Sequence, residues 1–526
     1  MYVKLILWLL FGLIELIASE KILFVIAFGS RSHRFAMQPI AVKLADLGHD
    51  VSFLAAVKPE VLDPRITEIH LVEPYVKILE QNVELGVNAV AERLKGRHYE
   101  HLQKGTIWWD VLINAAEAFL SNKEFLEFVS TKQFDLVVGD FPGKELTAVI
   151  AYKMNAKMIW LNTGGALSNF EAESMGLPIE SQWMPSLELE SPYWLVPDHL
   201  FYTLNALYSH ASYHWYLLRK MNYLIQKHVG TDVPPLEMLL QNFELLLLNE
   251  RFPYTYPRAL PPFAVQVGGM HVRYTDGILP KVIQDFIEPV DNFCFISFGS
   301  IVDVNRLPAR LRQSFFDAVA SFENVRFLWK WDGKVPDNMP NNVMTMEWFP
   351  QQEILANPKC KGFVTQGGAM SYQQGIYHAV PMIVIPVWWD QPILAKNAAR
   401  HGVGFHLELS EITQESLQFA LHEIMFNETY KNTSKLVSQR AKAQPISSVD
   451  SAAWWIEYVL HHDTTHLKSP SMTISWWQRR LLDVWLIVYT IVLITAFAIY
   501  KSAKFLLCFS ARKRTKQNSL KAKKLQ

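Results

Sequence analysis

Twice along this chain the same local pattern appears, and it leaves few folds open. Residues 21–28 form a continuous apolar run, and residues 293–298 form another. Each ends in a glycine turn, Gly29-Ser30-Arg31-Ser32-His33 in the first case and Gly299-Ser300 in the second. After the first turn Ile40, Val42, Leu44 and Leu47 recur at roughly helical spacing until Gly48, and residues 51–55 are apolar again. Short uninterrupted apolar runs suit strands buried on both faces, as in a parallel sheet covered by helices. Strand, helix, strand in that order predicts a doubly wound α/β sheet. Runs at 134–139, 157–161, 245–248 and 265–269 extend the first series, and runs at 325–331, 343–347, 362–364 and 382–386 extend the second. The two halves read as two copies of one architecture.

A chain of 526 residues has room for two such domains with sizeable cores. The polar segment 271–292 reads as the linker between a first domain at 20–270 and a second at 293–480, closed by helical sequence from about 414 to 458. Residues 1–19 hold Lys4, an apolar run and Ala18-Ser19, the layout of a secretory signal peptide. Residues 481–507 centre on an uncharged apolar stretch long enough for one transmembrane helix. The tail 508–526 is basic without one acid, which places it in the cytosol and the bulk of the chain in the lumen. Lys523 and Lys524 stand fourth and third from the carboxyl end, like a dilysine retrieval signal of endoplasmic-reticulum membrane proteins. The formal net charge is zero, so nothing global points to nucleic acid. The three cysteines, Cys294, Cys360 and Cys508, have no zinc-like spacing. Asn427 and Asn432 begin glycosylation sequons, usable where the segment is luminal and exposed.

The densest chemistry lies at 348–391. There a strand ends in Thr365-Gln366-Gly367-Gly368 and a helical segment follows to about His378. Adjacent glycines let a ligand approach the backbone, and the helix start offers unpaired N–H groups and the positive end of its dipole, a place for a phosphate. By itself a Gly-Gly turn reads better as a tight loop.

In register, however, this stretch resembles the signature of the UDP-glycosyltransferases, the family that includes UDP-glucuronosyltransferases. Trp348-Phe349-Pro350-Gln351, Thr365-x-Gly367-Gly368, Ile376-Tyr377-His378, Val380-Pro381 and Asp390-Gln391-Pro392 carry the resemblance. So do residues 29–33, Ser297-Phe298-Gly299-Ser300, residues 454–458, the apolar span and the dilysine end. The resemblance implies two Rossmann-like domains with an interdomain cleft (GT-B type), an inverting mechanism, and a luminal enzyme of the endoplasmic-reticulum membrane. His33 matches the catalytic base that deprotonates the acceptor hydroxyl, and Asp140 the carboxylate that orients it. Both sit just past strand carboxyl ends, where open α/β sheets place ligands. Trp348 resembles the ring that stacks on uracil, and Gln351 a ribose or base contact. Ser300, Gln366, Gly367 and Gly368 fall at the pyrophosphate, Gln374 at the ribose, and Asp390 and Gln391 at the sugar hydroxyls.

The expected partners are a UDP-sugar donor, a small lipophilic acceptor and the membrane, without metal or other cofactor; a homo-oligomer stays open. Three positions depart from the pattern. Gln366 replaces a histidine, as in the arthropod branch. Met370 replaces a polar residue, and its thioether cannot donate a hydrogen bond. Gln374 replaces a glutamate, a loss on the order of 1–2 kcal/mol in a charge-assisted bond to ribose. They motivate the alternative of a degenerate member acting as a membrane-anchored binding or partner protein. Glucose and glucuronate both remain open as the donor sugar.

Overall fold

The computed structural model of the protein describes residues 19–27, 29, 31–55, 57, 59, 61–71, 88–96, 107–165, 167, 172, 175–177, 204, 207, 208, 210–300 and 302–523. The leader sequence, the last residues of the tail, and Tyr193, Trp194, Phe201 and Tyr202 of an aromatic-rich run lie outside the described residues.

Among the described residues the apolar runs form two sheets. The first contains β1 (Lys21–Ile26), β2 (Asp50–Ala55), β3 (Ile66–Ile69), β4 (Leu136–Asp140), β5 (Lys157–Asn162), β6 (Leu245–Leu248) and β7 (Ala264–Gln266), in the order β3-β2-β1-β4-β5-β6-β7. The second contains β8 (Asn292–Ser297), β9 (Val325–Lys330), β10 (Val343–Met346), β11 (Cys360–Thr365), β12 (Met382–Val384) and β13 (Gly404–His406), in the order β10-β9-β8-β11-β12-β13. Every pairing is parallel. Successive side chains of the second sheet feed two cores on its opposite faces: Ile296, Val364 and Ile383 join one, and Phe295, Phe363 and Val384 the other. Fully burying each such side chain contributes roughly 1.5–3 kcal/mol, which is why the runs are apolar without alternation.

The helices that matter for the site are α1 (Arg31–Asp46), α2 (Lys281–Ile287), α3 (Gln351–Ala356), α4 (Ala369–Tyr377), α5 (Gln391–Arg400), α6 (Gln414–Phe426), α7 (Glu428–Lys442) and α8 (Ser448–His461). Two of them correct the expected boundaries. The segment 271–292 is not a free linker. It contains α2, whose Ile283 and Ile287 are buried with Leu279 against Phe293, Phe295 and Leu328 of the second sheet. Its polar appearance reflects one solvated face of an amphipathic helix.

Helix α8, which the sequence assigns to the closure of the second domain, docks on the first. Asp450 pairs with Lys43 at 2.7 Å, and Ser448 donates to the Gly268 carbonyl at 2.7 Å. The Lys157 ammonium at the start of β5 donates to the carbonyls of Val459, Leu460 and His462, capping the helix end with a positive charge. An amphipathic helix says that it needs a partner, not which sheet supplies it.

Residues 469–526 form a separate compact unit. Its α9 (Leu482–Lys523) runs for 42 residues, about 63 Å at 1.5 Å per residue, and is long and apolar enough to cross a membrane. The helix continues through most of the segment expected as a tail. It holds neither glycine nor proline, and Ala, Arg, Lys, Gln and Leu beyond 507 all favour helix.

Candidate active site

The strand orders explain why distant residues meet. In the first sheet the order reverses between β1 and β4, and in the second between β8 and β11. Ligands of open α/β sheets bind beyond the strand carboxyl ends at such a switch point. The four segments leaving these strands carry His33, Asp140, Ser300 and the Gly367-Gly368 turn. A cavity of about 1310 Å³ lies between the sheets. Its wall includes His33, Ser300, Trp348, Gln351, Gln366, Gly368, Gln374, Asp390 and Gln391. Asp140 sits behind His33, fully buried, and Gly367 supports the wall from behind.

His33 lies in the first turn of α1 with its side chain 23% exposed. Its Nδ1 is 2.6 Å from Asp140 Oδ2, so Nδ1 carries the proton shared with the carboxylate and Nε2 keeps its lone pair. Burial disfavours the charged imidazole and is the largest single influence. The charge and hydrogen bond of Asp140, with the charge of Asp390, outweigh it and raise the His33 pKa above the ordinary 6.5. Thr163, just past β5, completes the group: its hydroxyl donates to Asp140 Oδ1 at 2.9 Å and lies 2.8 Å from His33 Nδ1.

The opposite wall is built from amides and backbone. Gly367 adopts φ +83°, and a Cβ there would stand 2.3 Å from Val384 Cγ1, so only glycine fits this turn between β11 and α4. Gly299 takes φ +71°, a conformation that favours glycine, and Gln366 Nε2 lies 2.1 Å from where a Cβ would stand. Gln366 thus sits against the turn after β8. Gln351 Nε2 donates to Gln374 Oε1 at 2.7 Å and to Ser371 Oγ at 3.1 Å. The two glutamines expected at the nucleotide therefore hold each other at the cavity wall. The Trp348 ring is 37% exposed and takes the Arg31 guanidinium 4.6 Å from its centroid, with Phe35 6.1 Å away.

Asp390 and Gln391 line the cavity but are not both free for sugar hydroxyls. Asp390 Oδ2 accepts the Gly165 N–H at 2.7 Å, a bond that joins the first half of the chain to the second. Burial pushes its pKa up to about 6, against the Gly165 N–H and the charge of His33. Gln391 Oε1 accepts the N–H groups of Val387 and Trp388 at 2.9 and 3.2 Å, holding the loop that presents Asp390. Trp389 in that loop has φ +59°, a left-handed conformation costing about 1–2 kcal/mol in a non-glycine residue.

A family model described as UDP-glucoronosyl and UDP-glucosyl transferase matches residues 21–517. The chain belongs to that family. It is 26% identical over 491 residues to UDP-glycosyltransferase UGT5 of Dactylopius coccus, covering 92% of each chain. It is 25% identical over 502 residues to UDP-glucuronosyltransferase 2B7 of Homo sapiens, covering 92% of this chain and 93% of the relative. Among solved structures, the glycosyltransferase of kitacinnamycin aligns with a TM-score of 0.55 at 17% identity, over 84% of this chain and 99% of its own. Spinosyn forosaminyltransferase SpnP aligns with a TM-score of 0.54 at 17% identity, over 85% of this chain and all of its own. These neighbours share the GT-B fold of two Rossmann-like domains. The protein is a UDP-glycosyltransferase by family, and a UDP-sugar is the donor its family implies.

Several site residues carry no signature. Thr163 follows a strand end, the same signal that marks His33 and Asp140, but a threonine does not announce chemistry. Met370, which departs from the family pattern, accepts a long contact from Asn249 Nδ2 at 3.5 Å through its sulfur, and its carbonyl accepts from His271 Nε2 at 3.0 Å. Burial lowers the His271 pKa to about 4, so that imidazole is neutral. No group of His, Cys, Asp or Glu able to hold a metal ion occurs among the described residues. Cys294 and Cys360 are buried free thiols. Of the sequon residues, Asn432 is exposed on α7, whereas Asn427 caps that helix and donates to Glu423 at 2.8 Å.

Proposed function

We propose that the protein transfers a hexose, glucose or glucuronate, from a UDP-sugar to a hydroxyl of small lipophilic acceptors with inversion at the anomeric carbon. His33 Nε2 takes the acceptor's hydroxyl proton as the oxygen forms its bond to the anomeric carbon. The bond from that carbon to the diphosphate oxygen breaks, and UDP leaves with the electron pair. Asp140 stabilises the imidazolium formed on Nδ1 and Nε2 and keeps the tautomer that makes Nε2 the base. The diphosphate is placed at the Gly367-Gly368 turn and the first N–H groups of α4, beside Ser300 and Gln366. Uracil is assigned to Trp348, ribose to Gln351 and Gln374, and the sugar to Asp390 and Gln391. The observation that carries this reading is the hydrogen-bonded His33–Asp140 pair, facing the glycine turn of α4 across one cavity.

We also place the enzyme in the endoplasmic-reticulum membrane, spanning it once through α9, with both sheets luminal and the basic end cytosolic. The full-length protein in membranes, offered a panel of UDP-hexoses with simple phenols, should yield conjugates detectable by mass spectrometry. A protein that neither binds UDP nor transfers sugar from any UDP-hexose would instead support the degenerate binding-protein alternative, which the departures at Met370 and Gln374 motivate.

A further inference from the structure

The carboxyl edge of the first sheet carries a row of hydrogen-bonded residues that ends in the second domain. Strands β1, β4, β5 and β6 are consecutive neighbours, and their ends present His33, Asp140, Thr163 and Asn249 in that order. Thr163 grips the first two through its hydroxyl, as described above. Its own carbonyl accepts from Asn249 Nδ2 at 3.0 Å. The Asn249 carbonyl in turn accepts from Gln373 Nε2 at 2.8 Å, and Gln373 belongs to α4. Gly269 N–H is shared between Asn249 Oδ1 and Gln373 Oε1, at 3.1 and 3.0 Å. Thr163, Asn249 and Gln373 are all buried, so these bonds do not compete with water.

We propose that Thr163 and Asn249 are positioning residues that brace the base pair His33–Asp140 against α4, so that alignment of the base is set by the helix that receives the donor. The proposal rests on the reading of His33 as base. The Thr163 hydroxyl uses the second oxygen of Asp140, which stops the carboxylate from rotating away from Nδ1. Asn249 fixes the backbone of Thr163, and Gln373 fixes that of Asn249. Asp140 and Asp390 are the titratable groups whose charges act on His33.

The test uses the full-length membrane protein with the variants T163V, T163S, N249D and H33A. T163V keeps the shape and removes the hydroxyl. It should lower kcat about tenfold, the worth of one hydrogen bond of this kind, while KM for the donor and UDP affinity stay within about twofold. It should also move the His33 titration, followed by histidine NMR, to higher pH, because Asp140 loses a donor and its charge acts more fully on the imidazole. T163S should restore both. N249D keeps the acceptor for Gly269 but cannot donate to the Thr163 carbonyl, and should lower kcat about threefold with UDP affinity unchanged. An unmoved His33 titration in T163V overturns the proposal, as does a loss that T163S fails to rescue or that UDP affinity shares. If H33A itself turns over like wild type, the base assignment falls; if H33A is inactive and T163V is normal, only the bracing role falls.

Discussion

The two walls of the cavity are made of different chemistry. On the first-domain wall a carboxylate, an imidazole and a hydroxyl are joined by short bonds, and the histidine pKa is raised. On the second-domain wall the polar groups are mostly amides and backbone N–H groups, with Gln351 and Gln374 bonded to each other. The chemistry of the first wall suits the proton transfer proposed for it. The other offers amides and backbone N–H groups to a charged ligand, with Asp390 as its buried carboxylate. Binding at the amide wall should therefore depend less on pH than turnover at the histidine wall.

That contrast can be broken most directly at His33. H33A should cost about 10²–10⁴-fold in turnover, with UDP binding retained. Conjugation at the wild-type rate would leave the first wall without its assigned role. The largest effect on the opposite wall should come from Trp348. W348A removes the ring assigned to uracil and should weaken UDP binding about 10- to 100-fold by calorimetry, since a stacked base is worth roughly 1–3 kcal/mol. An unchanged affinity would place the base elsewhere. Q374E should move affinity the other way. A carboxylate there would strengthen the bond from Gln351 and offer a charged acceptor to ribose, raising UDP affinity by up to about tenfold.

Smaller effects concern pH. Because the base acts in its neutral form and its pKa is raised, the acid limb of kcat/KM should lie above pH 6.5, the ordinary histidine value. UDP affinity should be flat across that limb if the walls divide their work as described. Asp390 carries the subtlest signal. Its pKa is raised from 3.8 to about 6 in the folded protein, so the folded state binds the extra proton between those values. Stability contributed this way falls as pH rises from about 4 to about 6. A thermal-melting series should show that decline in the wild type and a shallower one in D390N; identical slopes would count against a buried, raised Asp390.

The two-sheet plan was legible because parallel strands, glycine turns and helical spacing are local features. His33 and Asp140 were legible for the same reason, each being a few residues past an apolar run. Thr163 and Asn249 were not, because their meaning depends on the spatial order β1-β4-β5-β6, which no window of sequence contains. For Gln391 the sequence names the residue but not the atom: its Oε1 is taken by two backbone N–H groups of its own loop, so its assigned role toward the sugar falls to Nε2. The docking of α8 and the structured linker were missed because amphipathic spacing specifies a buried face without naming its partner.

The position of α8 has a consequence for how the protein is made. The first sheet begins at residue 21, but the helix that packs on α1 and is capped by Lys157 of β5 ends at His461. At roughly 5–20 residues per second, synthesis needs on the order of 20–90 s to reach it after β1 has emerged. Through that interval the finished first sheet waits with the surface of α1 uncovered. A chain stopped before α8 would therefore fail at its beginning rather than at its end.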